Sequence, residues 1–465
     1  MIGPQAREGA SRWAHAWAIT RETVPMLLFA LLGLFLSGLE LDRVSTWSAF
    51  VKVDKFLILV PILFNLKGNL EMNLSMRMTT AQANIGELDN YRTRRALVTG
   101  NMALLQVQSL IVSCAAGILS FVLGHHDRSE PSAMARRGPV HSTKPTMDKA
   151  LRLRDGYFEF ALVLAVAQFT AAFSSAIQGA VVCAATIWAR YFGMDPDNMV
   201  VPLAGSLGDL VTMTCLGLFG SALVYFEGTG LATVLFVVLI LASLVFAVVT
   251  ARNAYVHELL SSGWFALFAA AAVSSLAGLV LEKNAGRYHG YPLLAPVVAG
   301  VPGIAAAVHA SRLTSALHSK RFLARTRPSR GAGYVPVDAQ AAPAEDMAAA
   351  SAPRMSWMQQ LRESLQPQVP DWDAPIVLIF HAVAVQALFF LALHVTGTLV
   401  FSWTFAVALL VVCTLLAAGG LALAHILCLF LWYWDYDPDT TCLPFTTSLV
   451  DAMAQVCLLC AFSIT

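Results

Sequence analysis

Asp209 and Asp451 are the residues of this 465-residue chain best placed to do chemistry. Each is a carboxylate inside a hydrophobic helical run, and each falls at the end of one copy of a duplicated sixteen-residue segment. The first copy runs from Asp195 to Leu210 (DPDNMVVPLAGSLGDL), the second from Asp437 to Ala452 (DPDTTCLPFTTSLVDA). At an offset of 242 residues, Asp, Pro, Asp, Pro, Ser, Leu and Asp fall in register. Pro202 and Pro444 suit helix starts, where a missing N–H is harmless, and the aspartate follows seven residues later, about 10 Å further in. A carboxylate at such depth in a bilayer costs roughly 2.5 to 3.5 kcal/mol. Two of them at matched positions point to cation transport.

The neighbours of these aspartates supply more oxygen. Ser206 and Gly205 precede Asp209 by three and four residues, as Ser448 and Thr447 precede Asp451. Each helix can therefore turn a carboxylate, a hydroxyl and nearby carbonyls towards one spot. Such hard ligands suit Mg²⁺, which keeps much of its water and needs only about one or two carboxylates, better than Ca²⁺, which takes about six to eight oxygens. Soft metals are disfavoured because no Cys or His residues stand at ligand spacing. Asn69 joins the candidates. It sits in Lys67-Gly68-Asn69-Leu70-Glu71, which interrupts an earlier apolar run; Asn69 and Asn73 can share a face, with Glu71 off it. Gly68 would let the backbone bend or approach another helix closely. The predicted metal-handling set is thus Asp209, Asp451, Asn69, Ser206 and Ser448.

Plainer readings stand beside these. Each aspartate could pair with an intramembrane base, and the Lys67–Glu71 stretch could cap a helix end. Asp195, Asp197, Asp437 and Asp439 fit ordinary turn and capping chemistry, or attract cations to a pore mouth. Gln106, Gln108 and Gln178 suit hydrogen bonds between helices. His309, His381, His394 and His425 are scattered without paired spacing; one could couple protons, but core and interface positions fit them better.

The elements that must position these groups are membrane helices. Hydrophobic residues make up 57% of the chain, charged residues 13%, and the mean hydropathy is +0.65, the profile of a polytopic membrane protein. A net charge of +1 gives no reason to expect nucleic acid as a partner. Apolar runs near 23–41, 45–66, 97–124, 157–189, 201–226, 229–250, 263–281, 291–310, 374–396, 399–434 and 443–464 predict about eleven transmembrane helices in an all-α fold. An N-terminal cytoplasmic segment, 1–21, comes first. Placing it inside obeys the positive-inside rule for the loops at Arg92, Arg94, Arg95 and at Lys320, Arg321, Arg325, Arg327, although the basic 125–156 loop then lies outside.

A second pair of matching segments, Gly68–Ala81 and Gly303–Ala316, aligns at an offset of 235 residues through Arg77/Arg312, Thr79/Thr314 and Ala81/Ala316. The chain therefore divides into a first five-helix repeat (22–227), a linking helix (228–260) and a second repeat (261–465) with a flexible loop at 319–371. Five crossings would invert the second copy and the extra span restores its sense, so the repeats are parallel, with a path for a polar solute between them.

Several of these residues form a familiar pattern. Leu66 to Met72, Ala83-Asn84-Ile85-Gly86, Asp195 to Asn198 with Pro202 and Gly208-Asp209-Leu210, Ser262-Gly263-Trp264, Ala310 to Ser315, and Asp437-Pro438-Asp439 with Pro444 and Asp451 together resemble the solute carrier 41 family, eukaryotic relatives of the bacterial MgtE magnesium channels. The resemblance covers about 22–464. It implies two MgtE-like repeats that transport Mg²⁺, with other divalent cations also open as cargo, with Asp209 and Asp451 as ligands and no cofactor. Passive conduction and exchange driven by Na⁺ are both open, and a multi-pass protein of the plasma membrane is expected. Two departures stand out: Ala299, Pro302, Gly303 and Ile304 replace a Gly-Gly-Asn pattern with an earlier Asn, and Val450 replaces a glycine. The competing classes are a membrane enzyme that holds Mg²⁺ against a lipid diphosphate, and a transport-inactive scaffold.

Overall fold

Long apolar runs leave the backbone one way to satisfy its N–H and C=O groups within a single segment away from water, the α-helix. A computed structural model of the chain describes residues 4–85, 90–129, 156–191, 196–261, 263–318, 358, 374–399, 401–434 and 438–464. The described residues form α1 (Pro4–Val44), a short α2 (Ser48–Lys52), α3 (Lys55–Ile85), α4 (Tyr91–Ser129), α5 (Tyr157–Tyr191), α6 (Pro196–Tyr225) and α7 (Leu231–Ala251). After a 3₁₀ turn at His257–Leu260 come α8 (Trp264–Ala285), α9 (Tyr291–His318), α10 (Ala374–Thr396), α11 (Trp403–Tyr433) and α12 (Pro438–Ile464). No strand occurs among the described residues. Helix α1 begins well inside the predicted 1–21 segment, and its apolar part is Ile19–Val44. The expected flexible loop at 319–371 lies outside the described residues apart from Met358.

Ten of these helices are long and apolar enough to cross a membrane. The eleventh predicted span, 45–66, takes a different form. The chain turns at 45–47, makes α2, and starts a fresh 31-residue helix at Lys55 that runs straight through Lys67 and Glu71. The Lys67–Glu71 stretch is therefore helix interior, not a helix end. Helix α3 carries Lys55, Lys67, Glu71 and Arg77, too much charge for a lipid-facing helix. It needs no lipid-facing composition because α4, α5, α6, α8 and α12 surround it. Its length, roughly 46 Å at 1.5 Å per residue, is ample for a crossing.

The two halves interlock by exchanging their first helices. Helix α1 packs on α6 of its own half and crosses to α9 and α10; α8 packs on α12 of its own half and crosses to α3 and α4. Both crossings are made through a glycine. Gly38 of α1 lies against the Leu293 carbonyl of α9, and Gly278 of α8 lies against the Ile58 carbonyl of α3, in each case too close for a Cβ. Ile58 and Leu293 are themselves separated by the 235-residue offset, as are Pro61 inside α3 and Pro296, one of two prolines inside α9. The interlock is thus two-fold in character. Linking helix α7 packs chiefly on α4 and α5, and only 6% of its apolar window is buried, so its remaining surface is available to lipid.

Overpacking at the crossings should damage both halves alike. Gly38→Val and Gly278→Val are each expected to lower stability by about 3 kcal/mol or more, read as a fall in the unfolding temperature of the purified protein. Gly68→Ala, where an added methyl meets nothing within 4 Å, should not lower that temperature and should raise it slightly, since alanine favours a helix interior over glycine.

Candidate cation site

The helix exchange leaves a cavity of about 100 Å³ on the seam between the halves, with room for several waters. Its lining is built from repeat-related pairs: Leu41 with Leu281, Pro61 with Pro296, Asn65 with Gly300, Gly68 with Gly303, Asn69 with Ile304, and Asp209 with Asp451. The two aspartates, 242 residues apart, therefore face one space. Gly68 opens onto this space rather than onto a neighbouring helix.

The polar side of the cavity is a closed ring of hydrogen bonds from α3 and α12. Asn69 Nδ2 donates to Asn65 Oδ1 at 2.8 Å, and Asn65 Nδ2 donates to both Asp451 Oδ2 and Thr447 Oγ1 at 3.1 Å. The Thr447 hydroxyl in turn faces Asn69 Oδ1 at 3.2 Å and its own helix carbonyl, Leu443 O, at 2.9 Å. Gln455, one turn beyond Asp451, completes this wall and is held by the Tyr291 hydroxyl, 3.0 Å from its Oε1. Asp451 is thus fixed in place by an amide from the other half. Asp209 accepts no such hydrogen bond among the described residues, and it lies within Coulombic reach of Asp451, Glu71 and Lys67.

Of the predicted set, Asp209, Asp451 and Asn69 come together. Ser448 does not join them: it is fully buried, and its hydroxyl donates back to Phe445 O at 3.0 Å. Thr447, at i−4 from Asp451, takes the cavity position instead. The side chain of Ser206 lies outside the described residues, as do Asp195 and Asp437 and the side chains of Asp197 and Asp439. Sequence reasoning missed Asn65, whose signal was its place one helical turn before Asn69. Gln106 does bridge helices, donating to Ala172 O at 3.1 Å, whereas Gln178 has no partner for either amide atom among the described residues. Two of the scattered histidines meet: His309 Nε2 and His425 Nδ1 are 3.0 Å apart across α9 and α11. His381 sits between the hydroxyls of Thr20 and Thr23, 3.1 Å from each.

Among the described residues no three His, Cys, Asp or Glu side chains converge to form a metal cluster. The chemistry available is a carboxylate pair with amide and hydroxyl oxygens, suited to a hard ion that keeps most of its water.

A duplicated all-helical bundle with an acid from each half on a common cavity is the architecture of a multi-pass membrane transporter. Residues 60–219 and 295–461 each match the MgtE family, described as divalent cation transporter, and the chain belongs to that family. It is similar to solute carrier family 41 member 3 of Rattus norvegicus, at 28% identity over 94% of this chain and 85% of the relative. Member 3 of Mus musculus is 29% identical over 94% and 81%, and member 2 of Homo sapiens 27% identical over 94% and 69%. No solved structure matches the chain.

The hydrogen-bond ring predicts a sharp contrast between two substitutions on the cavity side of the bundle. Asn65→Ala leaves Asp451 and Thr447 short of a donor and should cost about 1 to 3 kcal/mol in thermal unfolding. Ser448→Ala, which removes only a bond to the residue's own helix, should change stability little and leave cation flux unaltered.

Proposed function

We propose that the chain moves Mg²⁺ across the membrane through the seam between its repeats, with Asp209 and Asp451 as carboxylate ligands and Asn65, Asn69 and Thr447 completing the polar wall. The observation that carries this reading is the shared cavity: one acidic side chain from each repeat lines it, and little else there is charged.

Two carboxylates offset the charge of one dication. The amides and the hydroxyl offer oxygens to its water shell rather than stripping it, as Mg²⁺ prefers. The apolar lining residues Leu41, Pro61, Leu281 and Pro296 supply no ligands. A site built this way holds the ion loosely, and loose holding is what permits conduction, since an ion bound by a full protein cage leaves slowly. The replacement of Asn69 by Ile304 in the second half makes the wall one-sided, so the ion's protein oxygens come mainly from α3, α6 and α12.

The test is Mg²⁺ flux into proteoliposomes containing the purified chain. Asp209→Asn and Asp451→Asn are each expected to reduce flux by about 100-fold, the order set by losing one of two charge-compensating groups in a low-dielectric site. Undiminished flux in the double variant would remove the aspartates from the path. The same vesicles with and without a Na⁺ gradient separate exchange from passive conduction: a rate that tracks the gradient supports exchange.

A further inference from the structure

Beside Asp209, inside the first half, lies a charged cluster that the cavity does not use. Lys67 and Glu71 occupy consecutive turns of α3, both side chains are wholly buried, and Lys67 Nζ is 2.7 Å from Glu71 Oε1. Lys67 Nζ also donates to Ser175 Oγ of α5 at 2.8 Å, and Ser175 Oγ donates to Ser109 Oγ of α4 at 2.7 Å. Glu71 Oε2 and both amide atoms of Gln178 are buried without a hydrogen-bond partner among the described residues. Glu71 Oε2 and Gln178 Nε2 converge on Gly208: a methyl there would lie 2.6 Å from the first and 3.9 Å from the second. The next residue along α6 is Asp209.

The fold does not require this cluster, and the second repeat shows why. At the equivalent positions it has Pro302 for Lys67, Ala306 for Glu71, Ala417 for Ser175, Gly420 for Gln178 and Val450 for Gly208. There Val450 fills the space that polar groups take in the first half, lying 3.0 Å from a Cβ built on Gly420, with the Ala306 methyl 3.7 Å from it. The same architecture is therefore held by apolar packing on one side and by an incompletely satisfied ion pair on the other. Buried ion pairs stabilise less well than apolar residues of similar volume, and buried polar atoms without partners are costly. Charges kept at that cost, next to a carboxylate on the cavity, serve an ion.

We propose that Glu71 and the side-chain oxygen of Gln178 form a second subsite for a hard cation, held in this state by the tethered ammonium of Lys67. The proposal rests on reading Asp209 as a ligand of the transported ion. A dication arriving at Asp209 repels the Lys67 ammonium, which moves towards the hydroxyls of Ser175 and Ser109 while the Glu71 carboxylate turns to the newcomer. When the ammonium returns to Glu71 it displaces the ion. Lys67 thus acts as a built-in competitor that keeps the ion moving.

Thermal unfolding of the purified full chain in choline buffer, titrated with MgCl₂, tests this directly. Lys67→Met leaves Glu71 to be neutralised by a diffusible cation, so its unfolding temperature should rise with Mg²⁺ at least twice as far as that of the wild type. Lys67→Met/Glu71→Gln should lose that excess; equal responses of the single and double variants overturn the proposal. Should Lys67→Met fail to fold, Glu71→Gln decides, because it keeps the shape of the side chain and an acceptor for Lys67. Its Mg²⁺ flux should fall at least tenfold while its Mg²⁺-induced thermal shift matches the wild type. Undiminished flux, or loss of the shift as well, overturns the subsite. Asp451→Asn separates the two readings: it should abolish the wild-type shift, and a retained shift there overturns the paired-aspartate site itself.

Discussion

Two carboxylates facing one small space inside a membrane protein repel each other, and the low dielectric around them makes that repulsion strong. Most of the architecture near the seam can be understood as a response to this constraint. Asp451 is held by an Asn65 amide reaching across from the other half, so its position is fixed whatever occupies the cavity. Asp209 is not held in this way, and it lies beside an ion pair whose charges it senses. One acid is anchored and the other is left responsive. In the proposed function, a cation between them resolves the repulsion.

The helix exchange is what brings the acids to a single place. Had each half folded on its own, α6 and α12 would belong to separate bundles, and each aspartate would need its own compensating base. Instead α1 and α8 cross over, through the close approaches at Gly38 and Gly278, and tie α3 to α12 along the seam. The hydrogen-bond ring of Asn65, Asn69, Thr447 and Asp451 is then a contact between halves rather than within one. The stability of the seam and the geometry of the site are the same set of interactions.

Much of this was written in the sequence in a form that local rules can read. Apolar run lengths located ten spans, and the 242-residue offset singled out both aspartates before any packing was known. What local rules could not read depended on neighbours distant in sequence. Helix α3 carries too much charge for lipid, and only its enclosure by five other helices makes that composition tolerable. Helical periodicity places both Ser448 and Thr447 near Asp451, and only the rotation of α12 against α3 decides that Thr447 faces the cavity. Asn65 lies outside both repeated segments, so the duplication gave no hint of it. The meeting of His309 with His425 likewise has no signature in spacing, being a contact between two helices that follow different periodic frames.

Val450 in place of a glycine, and Ile304 where the first half has Asn69, set the second repeat apart from the first. The packing gives these differences a meaning. Val450 stands opposite Gly420 and Ala306, and Gly208 stands opposite Gln178 and Glu71, so in each half the large groups meet a small one. Loss of a polar residue by drift would leave a hole or an orphaned donor at its former contacts. Here the three positions differ in concert between the halves, and the second half remains closely packed at that point. The asymmetry is therefore a division of labour within a two-fold frame. The first half supplies the two asparagines and the buried ion pair beside the seam, and the second supplies Thr447 and the anchored Asp451 beside apolar packing at Val450. A duplicated chain is free to do this because its halves are covalently joined and can diverge separately, whereas a symmetric pair of identical subunits must place every polar group twice.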